Sequence, residues 1–395
     1  MKRVWPILCL IGLVLPAPPT AAEEIRAGVL RVEGAYHTPI SRLDLRPEDL
    51  GFAGARLATQ DNATTGRFMG QEYVTEEVSV GTDGALAALD ALLAEGAVFI
   101  VTLADAHTTL ALADAAGDRA LIVNAQAPDD RLRSADCRTN LLHVAPSRAM
   151  KTDALAQFLV WKRWRDWVLI HGSHPEDRAL AEDYRRAARK FGADIVEARE
   201  FEDTGGARRS ESGHVLVQKQ MPAFMQGLPG HDVVITADEA DVFAVYLPYQ
   251  TWVPRPVAGS AGLRPLSWHP AIEAWGGSQL QNRFDDLAGR PMREEDYQVW
   301  MALRVLGEAV TRSGSADPAV IRGYVLGPEF ELAAFKGEPL TFRPWNGQLR
   351  QPILLGGPRV IVSVSPQEGF LHRVSRLDTL GLDEPESDCT VVQPD

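Results

Sequence analysis

The stretch FIVTLADAHTT, residues 99–109, decides the fold of this chain. Phe99 to Leu103 is an unbroken apolar run rich in β-branched residues, the composition of a strand buried on both faces. Within two residues it reaches Asp105, a favoured helix N-cap, and a segment with helical period. A buried strand feeding straight into a helix is half of a β-α-β unit, whose strands lie parallel. In open sheets of that kind, ligands are held where strand ends and helix N-termini converge. Asp105, Ala106, His107 and Thr108 stand at that point.

Outward from this stretch, the same alternation repeats. IRAGVLRV (25–32), YVTEEVSV (73–80), AVFIVTL (97–103) and RALIVNA (119–125) read as strands, with helices in 47–62, 84–96 and 106–117 between and after them. In the second helix Leu86, Leu89, Leu92 and Leu93 recur at three- and four-residue spacing, which predicts one buried face, and Gly96 is its stop. After NLLHVAPS (140–147) the pattern restarts: a helix in 154–164, strand WVLIHG (167–172), a helix in 177–192, strand ADIVEAREF (193–201), a helix in 216–227 and strand HDVVITAD (231–238). A further helix is expected from Asp241. Two successive α/β units of similar size read as two lobes. A helix in 294–314 then presents Val299, Leu303, Leu306 and Val310 on one face, and Asn346-Gly347 between two strand-like runs signals a hairpin.

The chain has 395 residues, 45% of them hydrophobic, enough for two cores of ordinary size. A formal net charge of −13 argues against a nucleic-acid partner, which needs a basic stripe. Lys2 and Arg3 precede an apolar run from Val4 to Val14, with Thr20 and Ala22 beyond, so residues 1–22 are expected to be a secretory signal peptide. The run is too short to span a bilayer. Cys9 lacks the small-residue context of a lipid-modified cysteine. Cys137 and Cys389 remain for an oxidising compartment, as one bridge or two unpaired thiols. The bridge is the expectation, because Cys137 falls near the first lobe crossing, where a C-terminal tail could return.

The order of elements resembles the type I periplasmic binding proteins, the group of the leucine/isoleucine/valine-binding proteins of ABC transporters. GARLATQDNATTG (54–66), LLHVAPS followed by ALAQFLVWKRWRDWVLIHG, and FKGEPLTFRPWNGQLRQPILL carry that resemblance. More narrowly, SWHPAIEAWGGSQLQNRF (267–284), DYQVWMALRVLGEAVTR (296–312), QLRQPILL, SPQEGFLH and LDTLG resemble a subgroup associated with PQQ-dependent alcohol dehydrogenase systems. The resemblance implies an α/β fold of two lobes, each a mostly parallel sheet flanked by helices, with a ligand cleft between them. Its expected division is residues 23–146 with 266–330 for the first lobe, 147–265 for the second, 331–380 for a hairpin crossing the hinge and 381–395 for a polar tail. It further implies a periplasmic monomer that binds a small molecule and serves an ABC permease in the inner membrane. A non-transporting accessory or sensory protein of the same oxidation system, with or without a bound metal ion, is the alternative.

In the amino-acid-binding relatives, small hydroxyl residues after the third strand hold a ligand carboxylate. Here Asp105 stands there and would repel one. Asp105 reads either as a helix cap or as an acceptor for a cationic or hydroxylated ligand, and His107 as a surface or ligand-facing residue. The other loops expected at the crevice supply Glu33 and Tyr36, then Gln126, Asp129 and Asp130, then His171 and His174, and lastly Asp238, Glu239 and Asp241. The expected binding set is Tyr36, Asp105, His107, Thr108, Gln126, Asp129, His171, Asp238 and Glu239. Its excess of acids favours neutral or cationic ligands, or a hard metal ion, over anions. Trp268, His269 and Trp275 read mainly as packing. No GxSxG, HExxH, CxxC or GxxxxGK motif is present, and Ser173 between His171 and His174 has no visible third partner. No catalysis, cofactor or resident metal is therefore expected.

Overall fold

The computed structural model describes residues 22–34, 39–204 and 211–391. Residues 1–21 of the expected leader, and Tyr36, lie outside the described residues. The first unit runs β1 (Glu23–Glu33), α1 (Phe52–Met69), β2 (Gln71–Gly81), α2 (Ala85–Ala94), β3 (Phe99–Leu103), α3 (Ala106–Ala116), β4 (Leu121–Asn124) and β5 (Leu141–His143). Its strands form one parallel sheet in the order β2-β1-β3-β4-β5, with Val29 opposite Val101 and Val101 opposite Val123. β3 is buried at every position, as its composition requires.

The second unit runs α4 (Arg148–Trp161), β6 (Asp166–Gly172), α5 (Pro175–Phe191), β7 (Asp194–Phe201), α6 (Glu211–Phe224), β8 (Val233–Ala237) and β9 (Val257–Gly259). Its sheet is also parallel, ordered β7-β6-β8-β9. There follow β10 (Arg264–Leu266), α7 (Gly277–Ala288), α8 (Glu294–Ser313), α9 (Pro318–Leu326), β11 (Ile353–Gly357) and β12 (Val360–Ser365), and β10-β11-β12 form a small antiparallel sheet.

Both parallel sheets are covered on two faces, so successive side chains of a strand enter different cores. Ile25, Ala27 and Val29 of β1 pack with α1 and α8, whereas Leu30 and Val32 pack with α2 and α3. In the second lobe Trp167 and Leu169 lie in one core and Val168 and Ile170 in the other. α8 contributes Tyr297, Val299, Leu303, Leu306 and Val310 to the first lobe. Trp268 is 2% exposed and stacks on Tyr297 at 4.5 Å, which makes it a packing residue, and His269 bonds the carbonyl of Gly357 at 2.9 Å.

Segments 144–150, 258–266 and 349–353 pass from one lobe's core to the other's. Buried hydrogen bonds stiffen the joint. Arg133 bonds Gln348 and the carbonyls of Ala127, Asp129 and Ala145, while Gln351 bonds the carbonyl of Val144. Cys137 and Cys389 are joined by a disulfide with a Cα–Cα distance of 5.7 Å.

Three local expectations change. The helix expected from Asp241 is a 3-10 turn, Ala244–Tyr249, containing Pro248, because the Asp238 carboxylate gathers the N–H groups of Val242, Phe243 and Ala244 into a tighter bend. Leu86 is 49% exposed, since the buried arc of α2 centres on Ala85, Leu89 and Leu92 and leaves Leu86 to its side. Asn346-Gly347 does turn the chain, with Gly347 at φ +67 and Gly347 N–H bonded to Arg343, but the flanks pair only at Phe342 and Leu349. Leu349 is drawn instead to His143 at the lobe joint, and the hairpin forms later, between β11 and β12.

Candidate functional site

The loops that follow β1 and β4 in the first lobe meet the loop that follows β8 in the second. Arg148, the first residue of α4, makes that junction. Its Nε and Nη2 donate to Glu239 at 3.0 and 2.8 Å, and its Nη1 lies 3.2 Å from Asp129. Burial opposes the charge of Arg148, but Glu239 and Asp129 more than offset it and hold the guanidinium protonated more firmly than usual. The planar fork suits this arrangement, because it can serve two carboxylates at once. A second inter-lobe bond joins the N–H of Ile40 to the carboxylate of Asp241 at 2.7 Å. The C-terminal ends of two parallel sheets therefore converge on one crevice, where a ligand site is expected in such folds.

The expected residues fare differently within this frame. Asp129 and Glu239 are brought together, through Arg148. Asp105 caps α3, its Oδ1 accepting from Thr108 N–H at 2.8 Å, and it remains exposed; a Cβ at Gly34 would stand 4.0 Å from its Oδ2. His107 is exposed beside it, whereas Thr108 is buried and contributes its N–H to the cap. Gln126 is half-buried, its backbone held by Asn124 Oδ1 at 3.0 Å. Asp130 takes the N–H of Ala149 at 3.1 Å and so fixes the start of α4.

Asp238 lies 5% exposed, and its carboxylate accepts from Val242, Phe243 and Ala244 at 2.7 to 3.0 Å. Burial pushes this group up to about 6 in spite of those donors, with nearby Asp177 adding to the rise. Its oxygens shape the loop that carries Glu239 and Asp241. His171 is turned toward β7, 3.8 Å from Glu200, with Nδ1 2.9 Å from the carbonyl of Gly172. Glu33 pairs with Arg31 and Arg46 at 2.7 and 2.6 Å.

His174 does acquire a partner that local spacing did not reveal: its Nε2 lies 2.9 Å from Asp203. Its ring also accepts from Asp177 N–H at the start of α5. Ser173 Oγ accepts from the backbone N–H of Asp203 at 3.0 Å. Ser173, His174, Asp177 and Asp203 thus close a loop-to-helix corner. Arg148 was the main omission of the sequence reading. Its one signal was position, directly after the N-cap Ser147 at a lobe crossing.

Residues 50–234 match the family model described as periplasmic binding protein. No curated protein sequence gives a significant match. Among solved structures, the chain is similar to a branched chain amino acid ABC transporter periplasmic ligand-binding protein from Burkholderia xenovorans LB400, with 16% identity, 86% of this chain and 95% of that chain covered, and a TM-score of 0.69. A leucine-, isoleucine-, valine-, threonine- and alanine-binding protein from Brucella ovis, in closed conformation, gives 15% identity, 94% and 100% coverage, and 0.68. An ABC transporter solute binding protein from R. palustris, in complex with benzoate, gives 12% identity, 93% and 99% coverage, and 0.65. The fold is accordingly the two-lobe α/β fold of type I periplasmic binding proteins.

Proposed function

We propose that this chain is the periplasmic solute-binding component of an ABC-type transport system, a receptor whose lobes close by hinge motion on a small molecule that a membrane permease then accepts. The observation that carries this reading is the convergence of two sheets' strand ends on a crevice spanned by Arg148 between Asp129 and Glu239. The family match over residues 50–234 and the likeness to solute-binding structures support it. Among the described residues, no helix is long and apolar enough to cross a membrane.

The ligand we infer is neutral or cationic. Asp105 occupies the strand-three corner with an exposed carboxylate, and the basic Arg148 is already engaged by two acids, which leaves an anion little to bind there. The link to PQQ-dependent alcohol oxidation rests on the residue blocks in 267–284 and 296–312 and in the C-terminal third.

A second reading, an accessory or sensory protein of the same oxidation system, draws on the contacts by which Arg148 and Asp241 join the lobes. Among the described residues, no group of three or more His, Cys, Asp or Glu is arranged to hold a metal ion. The test is a thermal-shift screen of alcohols, aldehydes, amines, polyamines, amino acids and carboxylates. A ligand at 100 times its Kd stabilises the folded state by about 2.7 kcal/mol. Stabilisation by alcohol-derived or cationic compounds is expected. A strong response to simple carboxylates alone would defeat the ligand assignment, and no response to any compound would favour the accessory reading.

A further inference from the structure

Nine residues near the end of the described chain connect the lobes at a place the ligand crevice does not require. Leu380 belongs to the core of the second lobe and Cys389 to the core of the first. At the second-lobe end Gly381 is pinned. Its N–H donates to Asp153 at 2.8 Å, and its carbonyl accepts from Lys190 Nζ at 2.8 Å. With φ at +83 and Met150 Cγ 2.7 Å from where a Cβ would be, the position admits only glycine without strain.

The first-lobe end is anchored as firmly. Ser387 Oγ donates to the carbonyl of Arg133 at 2.8 Å, Asp388 N–H donates to Ser134 Oγ at 3.0 Å, and Cys389 is bonded to Cys137. Between the anchors, Glu384–Glu386 form one 3-10 turn in which Asp383 and Glu386 cap each other.

The hydrogen bonds of this strap can exchange with water when the lobes part, but the covalent bond cannot. The strap also carries a defined slack. A 3-10 residue advances about 2.0 Å and an extended one about 3.3 Å, so unwinding three residues releases roughly 4 Å. Arg133 bonds Ala145 within the first crossing, which places the anchor near the pivot, where a few ångströms correspond to a large rotation. We propose that residues 381–389 are a tether that sets how far the lobes open, with the Cys137–Cys389 bond as its fixed end.

Small-angle X-ray scattering on the purified oxidised protein, with no ligand added, tests this with two variants. One is the double substitution Cys137→Ala/Cys389→Ala. The other inserts four Gly-Ser residues between Glu386 and Ser387 and keeps both cysteines. Each should raise the radius of gyration by about 1 Å above the parent, against roughly 21 Å for a compact chain of this length, with unchanged circular dichroism. Should the cysteine variant fail to fold, the insertion variant decides alone. Scattering from the folded variants that superimposes on the parent overturns the tether, including the case in which the cysteine variant merely melts earlier.

Discussion

Arg148 holds Glu239 from 91 positions away, in a pair of hydrogen bonds at 3.0 and 2.8 Å that ties the start of α4 to the loop after β8. Because the same guanidinium also reaches Asp129, removing it strands one carboxylate on each lobe. Arg148→Ala should lower stability by about 2 kcal/mol, below the cost of breaking a fully buried pair because the acids are partly exposed. A double-mutant cycle with Asp129→Asn, which removes the first-lobe partner, read by denaturant unfolding, should give a coupling of about 1 kcal/mol. Additivity of the two substitutions would mean that the contact does not hold the lobes.

Asp105 offers a separation of roles. Asparagine can still accept from Thr108 N–H, so Asp105→Asn should leave the melting temperature nearly unchanged, whereas Asp105→Ala should cost about 1 kcal/mol. If the exposed carboxylate also meets ligand, the asparagine variant should bind the compound found by thermal shift several-fold more weakly. Equal binding by parent and Asp105→Asn would restrict this residue to capping.

The pH dependence of stability should carry the mark of Asp183. Burial, with Asp130 adding like charge, pushes its carboxyl up to about 7 from an unfolded value near 3.8. A raised carboxyl stabilises the fold fully below the unfolded value and loses that contribution as pH climbs through 7. Asp183→Asn removes the effect. The parent should therefore lose about 2 kcal/mol relative to this variant between pH 5 and pH 8, measured by melting curves across that range. Parallel curves for the two proteins would refute the assignment.

A missing side chain at Gly54 lets α1 and α8 approach closely. A Cβ at Gly54 would stand 2.0 Å from the backbone oxygen of Asp296, so Gly54→Ala must push two helices apart. We expect a loss of about 3 kcal/mol or more. Gly323, inside α9, has nothing within 4 Å of its would-be Cβ, and Gly323→Ala should stabilise by about 0.5 to 1 kcal/mol. Thermal melts of both variants check the pair, and equal effects would contradict the packing described here.

The alternation of strands and helices was legible in the residues because each signal is local. The apolar run of Phe99–Leu103, the cap at Asp105 and the stop at Gly96 act within a few positions of themselves. The pairing of Cys137 with Cys389 was also legible, since removal of the expected leader would leave only these two thiols. The interior of the second lobe's last loop was less so. The five acids Asp129, Asp130, Asp238, Glu239 and Asp241 read alike as a rim, yet Asp238 is buried under three backbone N–H groups while Glu239 next to it meets Arg148.

By itself, then, the sequence determined which segments become buried parallel strands, where their helices begin, and that two such units follow one another. Only the tertiary structure decided which carboxylates stay exposed, which are consumed by backbone donors, and which find Arg148. The physical reason is range. Strand burial and helix capping depend on neighbours a few residues away, whereas the partner of a charge in a crevice between lobes depends on how two separately folded cores dock, and no local pattern of residues encodes that placement.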